Sequence, residues 1–225
     1  MNYRVGLSTE EISEEVLQRA GFTYSVVEPR KRFLESVKKV LGKPYKRGAS
    51  VLNDAPETFD CSSLTAWAAV EAGYAIPRIS VDQFVFSKRM EREQLEPGDL
   101  IFANTKQFNS VKGEYYSRIL DRMVREEPIR YETVEYMPGT AVPHGIDHVG
   151  VFVGDGKVIH ASFATGAVVE EEVETSEQFR NIVGHGRIIL DETPRFVVEI
   201  PHERTELRSR DALLEELRRH AGELV

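Results

Sequence analysis

Apolar and polar positions along this chain keep a helical period in its first third and a strand period in much of the rest. Ser8-Thr9-Glu10-Glu11 reads as a capping box opening a short helix over 10–20, which Gly21 closes. Pro29 starts a second helix, in which Phe33, Val37 and Val40 with Leu34 and Leu41 form an apolar stripe ending at Gly42. After a turn-rich stretch, Leu64, Trp67, Ala68, Val70 and Ala72 follow at three-to-four spacing up to Gly73. That spacing predicts an amphipathic helix of about three turns beginning near Cys61.

The period then shortens. Leu95-Glu96-Pro97-Gly98-Asp99 is a turn feeding the apolar strand 100–102. Residues 148–153 alternate as a strand, Gly154-Asp155-Gly156 is a hairpin turn, and 157–162 supplies the return strand. Residues 166–173 and 182–190 predict two more antiparallel strands, with 196–200 a further candidate. Between Phe102 and Ile146 lies a long connection with a helix predicted around 116–126; connections of that length in a compact domain are usually lids or mobile segments. The tail from Glu203 is charged and helical, and its seam of Leu213, Leu214, Leu217 and Ala221 is suited to packing on the domain or on another copy of the chain.

Composition narrows the class. An apolar share of 41% with no run near the roughly 18 residues that span a bilayer predicts a soluble protein without a membrane partner. The formal charge of -8 argues against nucleic acid, whose phosphates call for clustered Lys and Arg. One cysteine excludes an internal disulfide framework, and the residues after Met1 form no hydrophobic signal segment, so the expected location is cytoplasmic.

The candidate chemistry centres on that cysteine. At a helix start the first backbone N–H groups lack internal partners and carry partial positive charge, which favours a thiolate at Cys61; Asp60 falls near the N-cap. A thiolate nucleophile also needs a base and a group that orients the base. His148 and His160 flank the hairpin turn. A three-residue loop sets Gly150 opposite His160 and turns both imidazoles to one face, where diagonal neighbours lie roughly 7 to 8 Å apart; a two-residue loop sends them to opposite faces. Cys61, His148 and His160 lack the close paired spacing of common zinc motifs, so neither a metal nor another cofactor is expected.

In order along 30–190, these residues resemble the NlpC-type papain-like cysteine peptidases, which cut bonds in bacterial cell-wall peptides. The resemblance is carried by Gly42-Lys43-Pro44-Tyr45 with Gly48, by Asp60-Cys61-Ser62-Ser63-Leu64, and by Pro77 with Ser80 and Gln83. It continues through the 95–102 strand entry, Asp147-His148-Val149-Gly150-Val151 and Val158-Ile159-His160-Ala161. It implies Cys61 as nucleophile, His148 as general base, His160 as the residue orienting it, Tyr45 lining the site, and Asp60 and Ser62 holding a substrate's free amine. The Cys61 N–H is a physically sensible oxyanion donor.

The expected fold is therefore α+β and papain-like: a nucleophile helix packed on an antiparallel sheet that bears the histidines. The expected parts are an N-terminal helical extension (1–28), a catalytic domain (29–200) with an insertion at 103–145, and a C-terminal helix (201–225) that is a candidate for homo-oligomer contacts. The insertion, longer than the family's usual connection and carrying Tyr115, Tyr116, Tyr131 and Tyr136, is expected to roof the cleft and admit small peptides. The leading functional expectation is a cysteine peptidase or amidase hydrolysing a γ-D-glutamyl-diaminopimelate type bond in a small wall-derived peptide through a thioester, with fast alkylation of Cys61 near neutral pH. An acyltransferase or transglutaminase-like modifier using the same Cys-His-His site, and a non-catalytic binding module, are the alternatives.

Overall fold

The apolar stretch after Cys61 folds as the central helix of the molecule. The computed structural model describes the backbone of residues 2–106, 114–117, 122–125 and 133–222, and the side chains of 2–106 and 136–221. In chain order the elements are β1 (Tyr3–Ser8), α1 (Glu14–Arg19), β2 (Thr23–Val27), α2 (Pro29–Lys39), α3 (Cys61–Glu71) and α4 (Ser80–Phe86). Next come β3 (Lys88–Met90), β4 (Leu100–Ala103), β5 (Glu114–Ser117), β6 (Arg122–Arg125), β7 (Thr133–Met137) and β8 (Thr140–Pro143). The chain ends with β9 (His148–Gly154), β10 (Lys157–Ser162), β11 (Ala167–Glu172), β12 (Ile182–Arg187), β13 (Arg195–Ile200) and α5 (Arg210–Gly222).

The principal sheet runs β11-β10-β9-β4-β12-β3, and each neighbouring pair is antiparallel. Helix α3 packs on β9 and β10, and α2 packs on α3. Their shared core joins Phe33 and Val37 of α2, Leu64 and Trp67 of α3, and Val149, Val151, Ile159 and Ala161 of the sheet. Phe59 stacks obliquely on Trp67, and Phe84 of α4 meets Phe102 of β4 edge-on. Because α3 is enclosed between sheet and helix, even Ser62, Ser63, Thr65 and Glu71 are buried. The expected amphipathic helix is thus one that is buried nearly all round. The 95–99 turn reaches β4 as expected, and its Asp99 is fully buried in a two-pronged pair with Arg187 of β12 (2.8 and 2.9 Å).

The two ends of the chain form a second layer. Strands β1, β13 and β2 pair antiparallel in that order, and α1 and α5 cover them. The expected helical extension over 1–28 therefore contains two strands as well as a helix. The candidate strand at 196–200 joins this sheet and not the principal one. Only half of the expected box forms: the Ser8 N–H donates to Glu11 Oε2 at 2.9 Å, while Ser8 Oγ accepts from the Glu10 N–H at 3.2 Å. They cap a turn at the end of β1, and the helix begins only at Glu14, because Ile12 turns into the core first. The α5 seam is used within the chain, where Leu213, Leu214 and Leu217 are buried against Val5, Leu7 and Leu17.

The insertion is β-structured where it is described. Residues 114–117 pair antiparallel with 122–125, so the helix expected at 116–126 is not formed on those residues. The position of Tyr131 lies outside the described residues. Strands β7 and β8 form a second hairpin. Its Tyr136 hydroxyl donates to Asp82 of α4, fastening this hairpin to the domain. The insertion's two ends are tied to each other, since the Asp147 carboxylate accepts from the Thr105 N–H (2.8 Å) and hydroxyl (2.9 Å). Among the described residues no helix is long and apolar enough to cross a membrane.

Leu217 is fully buried at the centre of the terminal layer. Leu217→Ala should cost about 2–5 kcal/mol of unfolding free energy, read by urea denaturation. A loss below about 1 kcal/mol would mean that the α5 seam is not packed as described.

Candidate active site

The nucleophile helix starts where its cap dictates. Asp60 is the N-cap of α3: Asp60 Oδ1 accepts from the Ser63 N–H, and Ser63 Oγ accepts from the Asp60 N–H, both at 2.8 Å. This reciprocal box sets Cys61 at the first helical position, where its N–H has no intrahelical acceptor. The Cys61 thiol donates to the Asp147 carbonyl at 3.8 Å, and the N–H groups of Val149 and Ser62 face the sulfur. The sulfur therefore sits against the β9 backbone on either side of His148. Among the described residues, no hydrogen bond links Sγ directly to the His148 ring.

The two histidines meet through a route that was not anticipated. The β9–β10 turn holds two residues, Asp155 and Gly156, both at positive φ (49° and 72°), as a tight hairpin turn requires. Such a loop was expected to send the imidazoles to opposite faces. Lys157 pairs with Gly154, however, and Val158 with Phe152, so Val153 is an extra residue bulged out of the ladder. The bulge restores the register, Ile159 faces Val151, and His160 falls opposite Gly150. His148 Nε2 and His160 Nδ1 are then 2.8 Å apart in a hydrogen bond, with the rings nearly perpendicular. Gly150 is needed there: a Cβ would lie 2.5 Å from Val158 Cγ2 and 2.7 Å from Phe179 Cζ. Phe179 packs against both rings, at 5.2 and 5.0 Å between centroids.

Burial decides the charge state of the group. It pushes the Cys61 thiol up to about 12, with the neighbouring Asp60 carboxylate adding to the effect. That acts against the helix start and favours the neutral thiol over the expected thiolate, although Cys61 is only part-buried. His148 is held well below its ordinary value near 6.5, first by burial and then by His160. His160 is lowered by burial, against the opposing pull of Glu171. These directions favour a neutral thiol beside two neutral imidazoles at rest, and with it a slower alkylation near neutral pH than the thiolate expectation gives.

Tyr45 is part-buried near Cys61 and packs edge-on against Phe163, 6.4 Å between ring centroids; Phe163 in turn touches the His148 ring. Asp60 and Ser62 are both buried, and both are held by Arg78, to which no local sequence signal points. The Arg78 guanidinium donates to Asp60 Oδ2, to Ser62 Oγ at 2.9 Å and to the Ala49 carbonyl at 2.6 Å. Asp60 Oδ2 also accepts from the Gly48 N–H at 2.9 Å. Gln83 is fully buried and donates to the carbonyls of Ser62 (2.9 Å) and Pro77 (2.8 Å). Both partners of α3 come from the 77–83 segment, which the sequence marks only through its resemblance to the family and without a role for either residue. A cavity of about 1040 Å³ lies on another side of α3, lined by Trp67, Val70, Tyr74 and Arg78 among others; Cys61 does not line it. Among the described residues no group of His, Cys, Asp or Glu could hold a metal ion.

A family model described as the NlpC/P60 family matches residues 42–118. The probable endopeptidase p60 of Listeria monocytogenes is 28% identical over 155 residues, which are 69% of this chain and 23% of that protein. The bifunctional muramidase/DL-endopeptidase CwlT of Bacillus subtilis is 25% identical over 151 residues, 67% of this chain and 34% of that protein. The chain thus spans well under half the length of these curated relatives. The solved structure of NlpC1 from Trichomonas vaginalis covers 72% of this chain and 44% of its own, with a TM-score of 0.51 at 23% identity, which shows a shared fold.

Two titrations follow. Iodoacetamide should modify Cys61 slowly at pH 7 and faster as pH rises through the alkaline range; a rate plateau reached below pH 7 would mean a resting thiolate. For His148 the folded chain refuses a proton that the unfolded chain accepts. Its contribution to stability is therefore fully present above about pH 6.5 and falls as pH drops, by up to about 1.4 kcal/mol per unit until the folded pKa is reached. His148→Gln should flatten this limb in denaturant titrations between about pH 6.5 and 5, and an unchanged slope would refute the assignment.

Proposed function

From a chain whose residues 42–118 belong to the NlpC/P60 family, we propose a cysteine peptidase that hydrolyses an amide bond of the γ-D-glutamyl-diaminopimelate type in cell-wall-derived peptides. The observation that carries the reading is the 2.8 Å His148–His160 hydrogen bond on the strand whose backbone holds the Cys61 sulfur. Since Nε2 of His148 is taken by His160, Nδ1 is the nitrogen left to receive a proton.

The neutral resting state fits a general-base route. As Sγ attacks the scissile carbonyl carbon, its proton passes to His148 Nδ1, and the developing oxyanion is met by the Cys61 N–H. Collapse breaks the C–N bond, the amine leaves with that proton, and a thioester remains on Sγ. Water then gives a proton to His148 and attacks the thioester, which releases the acid and restores the thiol. Asp60 and Ser62 are the candidates for holding a substrate's free amine. Arg78 already engages both, so an amine would share Asp60 Oδ2 with it or displace it. The insertion hairpin fastened to α4 is the proposed roof over the cleft.

A second reading, a non-catalytic wall-peptide binding module, is favoured by the thiol raised to about 12 and by its hydrogen bond to a backbone carbonyl. Mass spectrometry of a wall-peptide mixture and of intact wall incubated with the protein separates the two. The peptidase reading expects cleavage at one bond, lost by at least about 1,000-fold in Cys61→Ala, the scale on which removal of a nucleophile acts. Binding without turnover in both proteins would establish the module, and equal turnover in both would exclude Cys61 as nucleophile.

A further inference from the structure

The polar contacts do not stop at His160. Its other nitrogen, Nε2, is buried and lies 3.3 Å from Oε2 of Glu171 on β11, too oblique for a hydrogen bond, and among the described residues it has no hydrogen-bond partner. The sheet register makes this contact: β11 pairs Val158 with Glu171 and His160 with Val169, so Glu171 is the diagonal neighbour of His160 on the same face. The carboxylate is itself held, because Ser176 Oγ donates to Oε2.

We propose that Glu171 is a positioning residue that sets the proton positions of both imidazoles and thereby makes His148 a base. The argument is one of donor and acceptor counting. A carboxylate only accepts, so the His160 nitrogen facing it must carry the proton, on Nε2. His160 Nδ1 is then a lone pair, and its 2.8 Å partner, His148 Nε2, must be the donor. That leaves Nδ1 of His148 unprotonated, as a base for the thiol requires. The reverse arrangement places the His160 Nε2 lone pair against the carboxylate lone pairs and leaves a proton on His148 Nδ1, where no proton can be taken up. When His148 does become positive, Glu171 is the anion nearest the pair. The titratable groups that act on the two rings are Glu171, on His160, and the rings on each other. Glu171 is the middle of a Glu170-Glu171-Glu172 run that reads as solvated surface, and only the register distinguishes it from its neighbours.

This deepens the peptidase reading, resting on His148 as its base, yet it is testable without any substrate. In the full-length protein labelled with ¹⁵N-histidine and assigned with single His→Gln variants, long-range ¹H–¹⁵N spectra report which nitrogen of each ring bears the proton. The expected result is Nε2–H on both His148 and His160, with loss of the single form in Glu171→Gln, whose amide can donate as well as accept. A proton on His148 Nδ1 in the parent protein would overturn the proposal, whatever the variant does, and so would spectra unchanged in Glu171→Gln. With a cleaved peptide in hand, Glu171→Gln should lower kcat about 10- to 100-fold with little change in KM, and Glu171→Asp should recover part of it. If no peptide is cleaved but the tautomers are as stated, the peptidase reading fails and the role of Glu171 in ordering the rings stands.

Discussion

One extra residue in one strand governs the site. Val153 bulges from β9, and this shift lets a two-residue turn coexist with a register in which His148 and His160 share a face. A strand has a side-chain period of two, so a one-residue slip inverts every position beyond it. Without the bulge the two imidazoles would lie on opposite faces, and His148 would lose the partner that fixes its ring. Gly150 and Phe179 depend on the same register, one by leaving room opposite His160 and the other by closing over both rings.

The second constraint is desolvation. The N-terminus of α3 attracts negative charge, a preference worth about 0.3–1 kcal/mol at an exposed site. Desolvation of the part-buried sulfur and the Asp60 carboxylate beside it act the other way and favour the protonated thiol. The same enclosure keeps His148 neutral. Acid and base are thus both uncharged at rest, and charge would separate only when a substrate carbonyl accepts the sulfur. Arg78 completes this economy by neutralising the buried Asp60 and holding Ser62, so the cap that starts the helix is also tied to the loop around Gly48 and Ala49.

What the sequence by itself determined is largely local. Asp60, Cys61 and Ser63 specify a capped helix start through hydrogen bonds spanning three residues, and the 95–99 turn, the Gly154-Asp155-Gly156 hairpin and the two apolar helices are written in neighbouring side chains in the same way. The hairpin pattern singled out the two histidines as a pair, and the ordered resemblance to the NlpC type gave them their roles. What only the tertiary structure decided involves residues far apart or shifts of one position. The bulge at Val153, the choice of Glu171 from three adjacent glutamates and the reach of Arg78 to Asp60 have no local signature, because each depends on which strand or loop lies alongside. The β1-β13-β2 sheet, which joins the two ends of the chain, belongs to the same class. The balance acting on the Cys61 proton does too: helix position is visible in sequence, but desolvation is a property of everything packed around the sulfur, and here the two act in opposite directions.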